Sequence, residues 1–134
     1  MAYSFEFDSR NQILRGRFEN RVTDKELKAY YQVATQHAAR INPQAGITDF
    51  SAVTDFDVSH ETIRKLAALP PVMPGPCEPR FIVAPMPAIY GMARMFQFEG
   101  EATRPNLHVV HTMREVSAIL GVQTQRMDFK KLTG

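Results

Sequence analysis

The sequence predicts an α/β fold: a single mixed β-sheet that opens on an antiparallel hairpin and continues through crossover helices. Three observations carry this. Apolar and polar residues alternate over residues 3–8 and again over 13–18, the period of a strand. Two Thr-x-x-Glu capping boxes, at Thr23–Glu26 and Thr112–Glu115, each precede an apolar stripe at helical spacing. Short apolar runs then recur between helical segments, as in strand–helix–strand units with parallel strands.

In chain order, Tyr3, Phe5 and Phe7 alternate with Ser4, Glu6 and Asp8, and Leu14, Gly16 and Phe18 alternate with Ile13, Arg15 and Arg17. Ser9-Arg10-Asn11-Gln12 joins the two, so the pair reads as a hairpin with one wet face, its Glu6 and Asp8 facing Arg15 and Arg17 across strands. From Thr23, the residues Leu27, Tyr30, Tyr31, Ala34, Ala38 and Ile41 form one helical stripe that stops before Asn42-Pro43. Ala45 to Ser51 is an apolar run turning polar, the pattern of an interior strand leaving the sheet at one pole. Ser59 is placed to cap a second helix, whose inner face is Ile63, Leu66 and Ala67.

Seven of the nine prolines fall between Pro70 and Pro87, which excludes helix from most of that stretch and stiffens the connection around Pro74-Gly75-Pro76. Within it, Arg80 to Ala84 reads as a buried strand. A third helix over Ala88–Phe98 carries Ile89, Met92, Ala93 and Phe96 inward, with Pro87 tolerated in its first turn. Leu107 to His111 is a further strand, and the helix capped by Thr112 ends at Gly121.

With 134 residues the chain fits one domain spanning 1–134, since a domain takes about 100–200 residues. Sixteen Lys and Arg against fourteen Asp and Glu leave a net charge of +2, too little to indicate a nucleic-acid surface. Neither a signal sequence nor a run of apolar residues long enough to span a membrane is present, and the one cysteine, Cys77, has no intrachain disulfide partner. A cytoplasmic protein is expected. No cofactor is implied, because no glycine-rich phosphate loop occurs. No metal site is implied either: His108 and His111 point to opposite strand faces, and His37 and His60 belong to different helices. Cys77 has no histidine near it in sequence to make it a nucleophile.

The order of elements, the segment Asp49 to Ser59, and the run Arg80-Phe81-Ile82-Val83-Ala84-Pro85 leading to Tyr90-Gly91-Met92-Ala93-Arg94 together resemble the SpoIIAA-like branch of the STAS fold. The resemblance covers nearly the whole chain. It implies a small regulatory or protein-binding module, similar to anti-sigma-factor antagonists, which bind a kinase-like partner and are switched by phosphorylation of a serine at a helix start. By position that serine falls on Ser59 and the aspartate of the same motif on Asp57, with Val58 and His60 in place of the motif's first hydroxyl residue and its glycine.

The residues themselves leave each candidate with two readings. Ser59 is a helix cap or a phosphorylation switch. A phosphate would meet free amides there but also Asp55, Asp57 and Glu61, so modification would perturb the corner. Asp49 and Ser51 either contact a ligand at a strand end or fix the following turn. Tyr90 and Arg94, four apart on one helix face, either bind an anionic group or lie half-buried and exposed in structural roles. Methionines and phenylalanines make the third helix apolar on more than one side, a surplus to be covered by a loop, by a second subunit as a homodimer, or by an amphiphilic small molecule. Three functions follow: a non-catalytic partner-binding module switched at Ser59; a small-molecule or lipid site near Asp49, Ser51, Tyr90 and Arg94; and, more weakly supported, a hydrolase or isomerase using Asp49 or Asp57. No catalytic set is evident, because Ser59, His60 and Asp57 are sequence neighbours that do not converge as a triad must.

Overall fold

The computed structural model describes residues 2–73, 75 and 78–133. Expectations at Pro74, Pro76 and Cys77 therefore lie outside the described residues. The elements run β1 (Tyr3–Asp8), β2 (Ile13–Thr23), α1 (Asp24–Ile41), β3 (Ala45–Asp57), α2 (His60–Ala67), β4 (Arg80–Val83), α3 (Pro87–Glu99), β5 (Leu107–Val110), α4 (Met113–Leu120) and a two-residue β6 (Lys130–Lys131). The strand order is β5-β4-β3-β2-β1-β6. β2 to β5 are parallel, while β1 is antiparallel to β2 and to β6. This is the mixed sheet with an opening hairpin expected above. No helix among the described residues is long and apolar enough to cross a membrane.

The helix ends follow local chemistry. Thr23 and Thr112 both complete their capping boxes, and Ser59 accepts from the Thr62 amide. Gly121 ends α4 at φ 73°, a left-handed value that glycine adopts without steric cost.

Both strands read as short are longer. β2 runs past Phe18 to Thr23, and β3 continues past Ser51 to Asp57, so β3 does not leave the sheet at Asp49 and Ser51. β4 pairs with β3 only as far as Asp49. Beyond that point β2 and β3 form a two-stranded ribbon. Its register shifts twice: Arg17 to Glu19 spans the same stretch as Asp49 to Ala52, and Asn20 to Arg21 the same as Val53 to Asp55. Each shift is a bulge with one extra residue in β3, and bulges bend a strand and increase its twist. Polar residues at the bulges imitate a strand end in the sequence.

Helices α1, α2 and α3 cover one face of the sheet around a core that includes Phe5, Phe18, Tyr30, Phe50, Ile63 and Ile89. The other face is not simply wet. Ile13, Ile47, Phe81, Val83 and Val110 pack there beneath Val116 of α4, with Met127 and Phe129 at the margin. Of the expected charge pairs, Arg15 and Glu6 form one at 3.1 Å. Asp8 does not pair with an arginine. It is fully buried and accepts from the amides of Arg10 and Asn11, which closes the hairpin turn, while Arg17 turns to Asp49 at 3.7 Å.

Gly16 is fixed by contact. A Cβ there would lie 2.2 Å from the Tyr30 hydroxyl oxygen, because the Tyr30 ring lies over this strand, stacked on Phe5 at 4.9 Å and tilted against Phe18 at 4.5 Å. The hydroxyl also bonds Thr48 Oγ1 at 2.7 Å, and burial raises the Tyr30 pKa. The core beside it is not filled, leaving an apolar cavity of about 160 Å³ between the sheet and the three helices.

Gly16→Ala, which in an open strand would help by reducing backbone freedom, should here destabilise the protein by about 1–3 kcal/mol through overpacking. Urea unfolding checks this, and an unchanged or raised midpoint would contradict the contact.

Candidate functional site

The register of β2 and β3 builds the candidate site. Thr23 pairs with Asp57, so α1 begins one residue after one member of the pair and α2 three residues after the other. Two helix N-termini meet at the ribbon's end. Asp24, the first residue of α1, accepts from the Ser59 amide at 2.8 Å through Oδ1 and from the Ser59 hydroxyl at 3.1 Å through Oδ2. Ser59 Oγ in turn accepts from the Thr62 amide at 3.2 Å. Ser59 is exposed despite these bonds.

The electrostatics follow from the geometry. The Ser59 amide, chiefly, holds the Asp24 carboxyl below the usual carboxylate range against desolvation, the next largest effect, with lesser help from Thr62, the Ser59 hydroxyl and Lys28. Glu61 is held low by its bond and charge partner Lys65, at 3.0 Å. Asp55 and Asp57 share Arg21, at 2.5 and 2.7 Å. The corner is therefore acidic but largely paired, and Asp57 meets a cation of β2 rather than Ser59.

Asp49 lies inside the ribbon's first bulge. It is buried, and its Oδ1 accepts from both the amide and the hydroxyl of Ser51, at 2.9 and 2.5 Å. This is a side chain fixing a local turn, with Arg17 as its charge partner. Tyr90, in the first turn of α3, stacks on His111 at 4.1 Å with an interplanar angle of 5°. Arg94 stands a further turn along α3, exposed, and donates to Gln97 at 2.7 Å; Gln97 in turn donates to the Leu107 carbonyl, where β5 begins. Asp49 thus stands level with the ends of β4 and β5, and Tyr90 stacks just past β5, whereas Ser59 lies ten residues beyond Asp49, past the end of the β2–β3 ribbon, and Arg94 is set back along α3.

Asp24 and His111 are the functional neighbours that the sequence hides. Asp24 shows there only as an acidic residue in a capping box, and the 35 positions between it and Ser59 carry no signal of their contact.

No protein-family model and no curated protein matches the chain. Its architecture does match a solved structure, described as the Bacillus cell fate determinant SpoIIAA in the phosphorylated form. The match covers 88% of this chain and 99% of that one, at 14% identity and a TM-score of 0.51. The chain has the SpoIIAA fold, of STAS type. At that identity SpoIIAA shows architecture, and the side chains must speak for themselves.

Asp24→Asn removes a charged acceptor and should cost about 1 kcal/mol at neutral pH. Because the folded carboxyl is depressed, its contribution is present above the unfolded value near 3.9 and is lost as pH falls through the lower folded value. The gap between wild type and Asp24→Asn in urea unfolding should therefore close on acidification from pH 7 toward pH 2. A gap that persists at low pH would contradict the charged Asp24–Ser59 bond.

Proposed function

We propose that this chain is a non-catalytic regulatory module, one STAS-type domain over 1–134, that works in the cytoplasm and binds a protein partner through the corner where α1 and α2 begin. Ser59 is its switch. The observation that carries this reading is the pair of hydrogen bonds that exposed Ser59 donates to Asp24, one from its amide and one from its modifiable hydroxyl, which ties two helix N-termini together.

Phosphorylation of that oxygen would remove the proton donated to Asp24 and place about −1.5 to −2 charges beside its carboxylate. Asp57 and Glu61 stand close in sequence, while Lys28 and Lys65 act on Asp24 and Glu61, and Arg21 holds Asp57. Repulsion would part the ends of α1 and α2. The free amides at the start of α2 would hold the phosphate in the new arrangement. A partner that reads the joined ends would lose its surface. The description of SpoIIAA as phosphorylated supports a switch of this kind, and the resemblance points to a kinase-like or anti-sigma partner.

The small-molecule reading at Asp49, Ser51, Tyr90 and Arg94 has less support, because Asp49 is occupied by Ser51 and Arg17 and none of the four lines the apolar cavity. A homodimer through α3 rests mainly on Phe98, 78% exposed, since Met92, Met95 and Phe96 pack against the core.

Affinity capture from the native host, with wild type, Ser59→Ala and Ser59→Asp as baits, tests the switch. A partner held by wild type and Ser59→Ala and released by Ser59→Asp is expected; the same proteins on all three baits would overturn it. Light scattering tests the dimer: wild type should show twice the monomer mass and Phe98→Ser should reduce it, whereas a monomeric wild type at high concentration refutes it.

A further inference from the structure

At the pole opposite Ser59, two arginines are buried beside the apolar cavity. Gly46, Arg80 and Leu107 stand in register where β3, β4 and β5 start. Arg80 is 8% exposed and Arg104 5%. Both line the cavity. Neither has a carboxylate within salt-bridge distance among the described residues. Arg80 donates to the carbonyls of Met73, Gly75 and Glu78, and Arg104 to those of Leu66, Ala67 and Leu69, to Thr103 Oγ1 and to the Tyr31 hydroxyl.

Those bonds have structural uses. Arg104 satisfies carbonyls at the end of α2, and Arg80 pins the segment before β4. They leave two things unexplained. Arg80 Nε is buried with no acceptor among the described residues, and an orphaned buried donor is costly. The two guanidinium charges also sit under the helices with no carboxylate within salt-bridge distance among the described residues, although Glu78 acts on Arg80 from farther off and Arg104 has the Tyr31 side chain and the Phe96 ring, 4.7 Å away, beside it. Burial, chiefly, lowers the pKa of each, opposed by Glu78 at Arg80 and by Tyr31 at Arg104, and the charge of Arg80 lowers that of Arg104 further. A guanidinium remains protonated all the same, so the local field is positive.

Away from the arginines the walls are apolar, including Phe50, Ile63, Ile89 and Met92. From Gly46, level with Arg80, to Phe50 is four strand residues, about 13 Å. A volume near 160 Å³ resembles that of dry engineered cavities that accept benzene. The site is therefore long, greasy and cationic at one end only.

We propose that this cavity binds a monocarboxylate with an apolar body of roughly six to eight carbons, its carboxylate held by Arg80 and Arg104 and its body lying between the sheet and α1–α3. A carboxylate supplies the acceptor that Arg80 Nε lacks among the described residues and the close ion pair that neither arginine has there, and the guanidinium fork suits its two oxygens. The site is independent of Ser59 and lies at the other end of the parallel strands.

Calorimetric titration of the full-length chain with sodium octanoate, 1-octanol and octyl phosphate, each below its aggregation concentration, tests the assignment. Octanoate should bind saturably at one site and at least tenfold more tightly than octanol, with Arg80→Gln removing most of that preference. Because Arg80→Gln also loosens the segment before β4, Ala93→Leu is the second variant. It fills the cavity from α3 while leaving both arginines, and should abolish octanoate binding without lowering the thermal midpoint. No saturable octanoate binding, equal affinity for octanol, tighter binding of octyl phosphate, or octanoate binding that survives Ala93→Leu would each overturn the proposal.

Discussion

The parallel pairing of β2 with β3 is the constraint on which the rest of this molecule depends. It runs from Ile13 opposite Ala45 to Thr23 opposite Asp57, well past the last residue at which β4 takes part. A parallel ladder holds its two chains in step, so the helices that follow them begin at nearly the same height. Asp24 meets Ser59 for that reason. The two bulges in β3 are part of the device, because they bend the ribbon without breaking the pairing, and the buried Asp49 carboxylate steadies the first by accepting twice from Ser51.

The face that carries the helices is arranged around one aromatic residue. Tyr30 lies on Gly16, between Phe5 and Phe18, and hands its hydroxyl to Thr48. This anchors α1 closely to β2. Farther along the same face α2 and α3 stand over a cavity, and the two buried arginines close its far end. The molecule thus has an exposed, paired acidic corner at one pole and a buried cationic end at the other. The first suits a macromolecular partner, the second a small anion with an apolar body.

Much of the architecture was legible. The hairpin, the three later strands and the four helices all announce themselves through alternation, helical stripes and caps, and each of these signals acts over a few residues. Ser59 could be recognised as a cap because its bond to Thr62 spans three positions. The lengths of β2 and β3 were not legible, since Asp49 and Ser51 look like the end of a strand and only the register shows that a bulge begins there. β6 was missed because two lysines carry no periodicity; Met127 and Phe129, packed beneath α4, bring the chain's end back to β1.

By itself the sequence determined the order and type of the elements, their caps, and the presence of one modifiable serine at a helix start. Those properties depend on neighbours along the chain, whose side chains reach one another whatever the rest of the molecule does. Tertiary structure alone decided which groups far apart in the chain become partners. Asp24 is 35 positions from Ser59, and Arg104 is 37 from the Ala67 carbonyl it holds. Electrostatic and hydrogen-bond energies depend on distance through space and on exclusion of water, and both come into being only when the helices close over the sheet.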